Sequence, residues 1–415
     1  MASDSNFSRL FTFSRRKLIA ALGGVPAISR AEPVYGRESI YTRMFGLRPL
    51  LCARGHTTAY GGSLMPAEVM RAMVEANDYF VDLNELNQAA GRRIAELMQS
   101  EAAIVTAGAF SAMVLGAAAC LTGTDQEKID ALPHPGWRKR ECLLQKAHRE
   151  NYDRAYRAAG MVIREFATRE QLVNAIGPDT AMLAALASTE KAAMKDRAII
   201  QLHEVVELGK KAGVPTLIDA AAEIPPAGTL TRFTKMGFDL VAISGGKGLL
   251  GPQATGILAG RKDLIQAAAL NHSPNTGIGR GMKVGKEEIV GLVAAMELYL
   301  SRDREAVHET WNNRTRFIVR ELQGIPGLRA EHRLAADGHD HGFLEALVSW
   351  DRKIVPFTGK KLTEILQGGE PRMVYYPEYG DEHSGVLQTR SMKEGEEILA
   401  ARRLRHVFLE AQGKV

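Results

Sequence analysis

Two residues of opposite charge close successive apolar runs in this chain. Asp219 ends the run beginning at Val214, and Lys247 sits in the glycine turn Ser244-Gly245-Gly246-Lys247-Gly248 that follows Leu240–Ser244. An acid at one strand end and an amine at the next suit one chemistry in particular, a site for pyridoxal phosphate. The carboxylate keeps the pyridine nitrogen protonated so that the ring can take up electrons, and the lysine forms a Schiff base with the aldehyde. Taken singly, Lys247 reads as a solvated loop lysine and Asp219 as a helix cap. Together, with Ser244 and the glycines around the lysine, they favour the cofactor. Glu223, four positions beyond Asp219, reads as an acid that orients a polar group or as a helix-start acid.

The elements that must carry these residues are an α/β set. Seven short apolar segments are expected as strands: Glu101–Thr106, Glu141–Gln145, Met161–Phe166, Met182–Ala187, Val214–Asp219, Leu240–Ser244 and Thr255–Ala259. Helical periodicity separates several of them, notably over Arg197–Ala212, which predicts a seven-stranded, mainly parallel sheet with helices on both faces. In such sheets ligands collect at the carboxyl ends of the strands. The first strand runs into Thr106-Ala107-Gly108-Ala109-Phe110-Ser111, a glycine turn opening a small-residue helix. Free N–H groups there, with the Ser111 and Thr106 hydroxyls, make an anion cradle for a cofactor phosphate; close helix packing explains the alanines equally well. The second strand leads to Lys146-Ala147-His148-Arg149-Glu150-Asn151-Tyr152, where a ring could stack on the pyridine face: His148 first, Tyr152 second.

Beyond Gly324 the pattern changes to alternating strands at Leu344–Trp350, Arg372–Tyr376 and Val386–Thr389, then a helix over Glu394–Glu410. The organisation read from this is a signal over 1–31, a large domain over 32–310 and a smaller C-terminal α+β domain over 311–415. At the amino end, Arg15-Arg16, a short apolar run to Ile28 and Ser29-Arg30-Ala31 predict a twin-arginine export signal, hence a periplasmic location, with a cytoplasmic one otherwise. That run is too short for an ordinary membrane span, and no other span is expected. Residues 32–66 read as a connector whose polar groups, Arg54 to Thr58 among them, could line a site mouth.

The 415 residues are 45% hydrophobic and 24% charged, which describes an ordinary soluble protein with room for two domains. The net charge of +5 suits an anionic substrate, but the basic residues are scattered, so nucleic acid is not indicated as a partner. Cys52, Cys120 and Cys142 lack paired spacing, and His339 and His341 lack partner ligands, so neither a disulfide framework nor a metal site is expected.

Longer stretches carry a resemblance: Gly55–Val69 (GHTTAYGGSLMPAEV), Lys146–Gly160, LIDAAAE, SGGKGLLGPQATGILAG and Gly277–Leu292. From about Tyr41 onward the chain resembles fold type I pyridoxal phosphate enzymes of the selenocysteine synthase branch, on the side of its ammonia-lyase-type relatives. The resemblance implies Lys247 as the Schiff-base lysine, Asp219 as partner of the ring nitrogen, and Gly108, Ala109, Ser111 and Ser244 as phosphate contacts. It further implies His148 stacked on the ring, Arg280 and Lys283 as anion binders that could reach a neighbouring subunit's site, and a homodimer or higher oligomer. Arg390 is the candidate for the substrate carboxylate and Arg372 the second choice, because a guanidinium fork fits a carboxylate. Two departures bear on activity: an export-like signal replaces the tRNA-handling extension, and the turn is SGGK rather than SGDK. The expected reaction is α,β-elimination of a β-hydroxy amino acid or 2-amino sugar acid to a 2-keto acid and ammonia. The alternatives are selenium transfer on seryl-tRNA, racemisation or aldol cleavage, and a non-catalytic protein of the same fold.

Overall fold

The structure, a computed structural model, describes residues 39–335, 342–378 and 380–414. The segment expected as an export signal, His339 and His341 lie outside them. All seven expected strands form, as β1 (Ala102–Thr106), β2 (Glu141–Gln145), β3 (Val162–Phe166), β4 (Thr180–Leu186), β5 (Thr216–Asp219), β6 (Leu240–Ser244) and β7 (Gly256–Gly260). They make one seven-stranded sheet in the order β1-β7-β6-β5-β4-β2-β3. β7 runs antiparallel to both β1 and β6, and the other pairings are parallel. Two antiparallel steps restore direction, so β1 points the same way as β2, β4, β5 and β6. Their carboxyl ends therefore share one sheet edge.

The inner strands read as near-continuous apolar runs because both faces are covered, whereas the edge strand β3 is largely exposed. Successive residues feed two separate cores: Ile218, Val241 and Ile257 on one face, Leu217, Ala242 and Leu258 on the other. The Gly108–Thr122 helix is buried almost all round, since it lies against the middle of the sheet and under the Lys262–Asn271 helix. On the opposite face the Leu83–Met98 helix comes so close that a Cβ on Gly91 would stand 2.1 Å from the Ala103 carbonyl oxygen. The helix expected over Arg197–Ala212 begins at Leu202, where Gln201 and Glu204 make a capping box. The long helical stretch after Glu287 divides into Lys286–Ser301 and Arg304–Leu322. Asp303 caps the second piece by accepting from the Ala306 N–H at 3.1 Å.

The C-terminal unit is a four-stranded antiparallel sheet with the Arg304–Leu322 and Glu396–Glu410 helices packed together beside it. Two of its elements, the strand Leu328–Leu334 and the helix Gly359–Gly368, have no counterpart in the sequence reading. The run Arg372–Tyr376 splits into Met373–Val374 and Tyr376–Pro377, which join different sheets. The first pairs in parallel with Leu51–Cys52, and Leu51 and Ala53 enter the apolar core of Trp350, Phe357 and Phe408. The segment read as a connector thus packs as part of the smaller unit before the chain enters the larger one. No helix among the described residues is long and apolar enough to cross a membrane.

Gly91→Ala forces a methyl group into backbone that cannot yield like a side-chain tip. Overpacking of this kind costs about 1–3 kcal/mol. The melting temperature should fall by several degrees, read by calorimetry; an unchanged melt would mean that the helix and β1 are not held this tightly.

Candidate active site

The sheet edge collects the residues in adjacent positions. Leu186 is the register partner of Asp219, and Asp219 of Ala242. Further along, Ser244 and Thr106 flank Gly256 from its two sides. A Cβ on Gly256 would lie 2.3 Å from the Gly108 carbonyl carbon, so the turn that opens the Gly108–Thr122 helix folds directly onto this row. Gly108 has φ 81°, and the space where its Cβ would stand is open. The N–H groups of the first helical turn, with half-buried Ser244 one strand away, leave a concavity suited to an anion. Ser111 directs its hydroxyl proton to the Ala107 carbonyl at 2.8 Å, and Thr106 bonds the Gly108 carbonyl at 3.0 Å, so both hydroxyls brace the turn.

The lysine turn is fixed by close backbone contacts. Gly245 N–H donates to Thr255 O at 2.8 Å, and Gly251 N–H to Gly245 O at 2.9 Å. A Cβ on Gly248 would meet Ile224 O at 2.0 Å, so only glycine permits the turn to press against the loop after Asp219. Burial holds the Lys247 amine below the usual lysine range and the charge of Arg390 adds to this, while Asp219, Glu150 and Glu223 pull the other way. Burial likewise raises the Asp219 carboxyl, opposed by the Ala221 N–H, which donates to Oδ1 at 2.9 Å, and by the Lys247 charge. Glu223 is buried in the turn after β5, where no helix starts, and its charge acts on both.

His148 is held as a neutral ring with a defined tautomer. The Leu186 N–H donates to Nδ1 at 3.1 Å, so the proton sits on Nε2 and is given to Thr189 Oγ1 at 3.1 Å; Thr189 in turn donates to Leu186 O at 2.7 Å. Burial pushes its pKa down to about 4. Both ring nitrogens are pinned to the end of β4, one strand from Asp219, which fixes the imidazole plane as a stacking ring requires. Tyr152, the second choice for that role, is 59% exposed: the short helical turn at Asn151–Asp153 swings it to the surface.

The sequence reading missed Glu150. Burial raises its carboxyl to about 7, reinforced by the charges of Asp219 and Asp153 and by a hydrogen bond to Asp219, with Lys247 opposing. Two carboxyls so placed share a proton. Its signal was available: it lies two residues past His148, at the carboxyl end of a site strand. His56 is the other addition, buried and under the charges of Arg390 and Lys247.

Of the two arginines expected at the substrate carboxylate, Arg390 is at the site. It acts on both Lys247 and His56, and its guanidinium lies 5.3 Å from the Phe343 ring centroid. Arg372 is withdrawn from the role, because it donates from Nε to Gln367 O at 3.1 Å and from Nη1 to Arg48 O at 3.0 Å, fastening the small unit together. Arg280 and Lys283 are exposed on the loop after the Lys262–Asn271 helix and do not enter the buried cluster of this chain. That loop is tied to β1 through His272 Nε2 and Val105 O at 3.0 Å.

The residues present fit pyridoxal phosphate: an open anion cradle, a pinned neutral ring, and a buried carboxylate and a half-buried amine under each other's charge. Comparisons agree. The family described as L-seryl-tRNA selenium transferase matches residues 156–311. A 5'-C-glycyluridine monooxygenase-decarboxylase of Streptomyces sp is 32% identical over 91% of this chain and 94% of its own length. A D-glucosaminate-6-phosphate ammonia lyase of Salmonella typhimurium (strain 14028s / SGSC 2262) is 29% identical over 89% of this chain and 98% of its own. A solved D-glucosaminate-6-phosphate ammonia-lyase structure superposes with a TM-score of 0.77 at 26% identity, covering 90% of this chain and 99% of that one.

The carboxyl pair has a consequence in the protein without ligand. Folded Glu150 keeps its proton up to about 7 against an ordinary value of 4.5, so the folded state binds more protons between these limits. Its contribution to stability is present below 4.5 and lost as pH rises through 7. The melting-temperature difference between the native protein and Glu150→Gln should therefore decline from about pH 5 to about pH 8. A difference independent of pH would mean that the folded protein does not hold the Glu150 carboxyl above its ordinary range.

Proposed function

The chain belongs to the selenocysteine synthase-like family of fold type I pyridoxal phosphate-dependent enzymes, and from that membership we propose that it is a lyase. It would act by α,β-elimination on a β-hydroxy amino acid or 2-amino sugar acid, giving a 2-keto acid and ammonia. The observation that carries this reading is the Lys247 amine, held toward its neutral form by burial beside Asp219.

When bound, pyridoxal phosphate supplies an aldehyde for a covalent link to an amine and a ring that accepts an electron pair from the adjoining carbon. Lys247 and Asp219 would hold it at its two ends, with Gly108, Ala109 and Ser244 around the phosphate and His148 against the ring. Asp219 would keep the ring nitrogen in its charged form. Arg390 fixes the substrate carboxylate. Lys247 Nζ, held below the usual lysine range by burial, takes the α-proton. The ammonium so formed gives that proton to the departing β-hydroxyl, which leaves as water. Hydrolysis of the resulting enamine yields the 2-keto acid and ammonia.

A second reading has its own support: the relative named for monooxygenation and decarboxylation is 32% identical, the ammonia lyase 29%. The two reactions consume and release different molecules. Incubating the cofactor-loaded protein with D- and L-β-hydroxy amino acids and 2-amino sugar acids should release ammonia and a 2-keto acid equally under argon and in air. Lys247→Ala should abolish release and lose the pyridoxyl group that borohydride fixes on the native protein. Oxygen uptake with carbon dioxide release, and no 2-keto acid, would replace the lyase by an oxidative decarboxylase. The match to the selenium transferase family spans Asp219 and Lys247, the cofactor-holding core, and does not by itself favour a tRNA substrate.

A homo-oligomer is part of the proposal, supported by Tyr41, Phe45, Val74, Tyr79 and Phe80, large apolar side chains exposed along one stretch of chain, Phe80 completely. It would also give exposed Arg280 and Lys283 a site to reach. Replacing Tyr79 and Phe80 by Ser should shift the sedimenting mass toward the 45.3 kDa single chain; an unchanged mass would place the interface elsewhere. Export by the twin-arginine route is proposed on Arg15-Arg16 and the apolar run after them. Fractionation of cells carrying either the native pair or the double substitution R15K/R16K tests it. The substituted protein should be lost from the periplasmic fraction, and an unchanged distribution would end the export reading.

A further inference from the structure

The strap from Ala53 to Ser63 connects the smaller unit to the lysine turn. At one end the Gln388 N–H donates to Ala53 O at 2.8 Å, and Arg54 bridges Gln388 in parallel register. A Cβ on Gly55 would stand 2.8 Å from Arg390 Nε and 3.0 Å from its Nη2, so the strap backbone presses against that guanidinium. At the other end Gln253 Nε2 donates to Thr58 O at 2.9 Å, and a Cβ on Gly62 would stand 2.8 Å from Gly246 O, one residue before Lys247. His56 lies between these two anchorages. It is 9% exposed, and neither Nδ1 nor Nε2 has a hydrogen-bond partner among the described residues.

A buried imidazole with two unmet nitrogens is costly unless a ligand meets them. The charged groups that face it are Arg390 from the smaller unit and Lys247 from the turn; burial and these two cations push its pKa down to about 3. It therefore stands neutral, with one donor and one acceptor, between two positive charges. An α-amino acid carries its carboxylate on the same carbon as the amine. A substrate whose amine is directed to the Lys247 site and whose anion is directed to Arg390 must put that carboxylate in the space His56 borders. We propose that His56 and Arg390 together seat the substrate carboxylate, with the His56 N–H donating to one carboxylate oxygen, so that His56 separates amino acids from the matching amines. This rests on the amino acid substrate class proposed above and adds to it a residue with a defined task.

The test reads the His56 imidazole by NMR in cofactor-loaded protein carrying 13C-labelled histidine, the resonance being identified by its loss in His56→Gln. Without additions it should stay neutral down to about pH 5, because burial and the Arg390 charge hold it well below the ordinary histidine value. Acetate should raise its titration midpoint, because an anion between the cations favours the charged ring. Serine and D-glucosaminate should raise it further, by about one unit, which is a tenfold change in proton affinity. Ethanolamine and 1-amino-1-deoxy-D-arabinitol, which lack only the carboxylate, should leave it in place. A His56 that ignores both acetate and serine, or that answers ethanolamine as it does serine, overturns the seat. Because acetate is not turned over, a response to it stands even where no compound releases ammonia; that result would sink the lyase and keep the carboxylate seat. As a second measure, His56→Phe should weaken serine binding, read from cofactor absorbance, by about tenfold. His56→Gln, which keeps a donor and an acceptor, should restore part of the loss, and equal losses in both variants also overturn the seat.

Discussion

The structure depends on holding an amine and three carboxyl groups, two of them buried and the others half-buried, within one another's fields. An isolated buried charge is expensive, and these groups tolerate burial because each lies in the field of the others. Lys247 is pushed toward neutrality by burial and Arg390, and pulled back by Asp219, Glu150 and Glu223. Asp219 is raised by burial and steadied by the Ala221 N–H. The result is an amine pushed below the usual lysine range and a carboxyl pair that shares a proton. Both are states a cofactor enzyme of this family has use for.

Topology makes the crowding possible. Because β7 is antiparallel between two strands of common direction, the turn after β1 reaches the same edge as the ends of β2, β4, β5 and β6. Helix, ring, carboxylate and lysine then come from separate stretches of chain onto one row of neighbouring strand ends. Glycine lets them close up: Gly248 against Ile224 and Gly256 against Gly108 leave no room for a side chain. The smaller unit completes the site by sending Arg390 toward it and by holding the strap that carries His56.

Much of this was legible in residue order. The inner strands of the sheet are covered on both faces and so read as apolar runs, and the structure finds all seven strands within a few residues of the expected bounds. The smaller unit was less legible for the opposite reason. Its sheet alternates, its strand Leu328–Leu334 is half exposed and charged, and the Met373–Val374 strand is two residues long with its partner at Leu51–Cys52. Local periodicity does not contain a pairing between segments so far apart in the chain.

The same division runs through the site. The sequence by itself determined the acid at one strand end, the lysine in a glycine turn at the next and the glycine-opened helix before both, because each is a local pattern of backbone freedom and side-chain type. It ranked His148 above Tyr152 and Arg390 above Arg372, but did not hold the reasons. Those choices turn on which side chain meets a carbonyl, a strand end or open water, as with Arg372 spent on Gln367 and Arg48. Nor could it join Glu150 to Asp219, or set His56 between Arg390 and Lys247. Only the tertiary structure decided these, since the electric field at a buried group is the sum over neighbours in space, and sequence distance does not measure it.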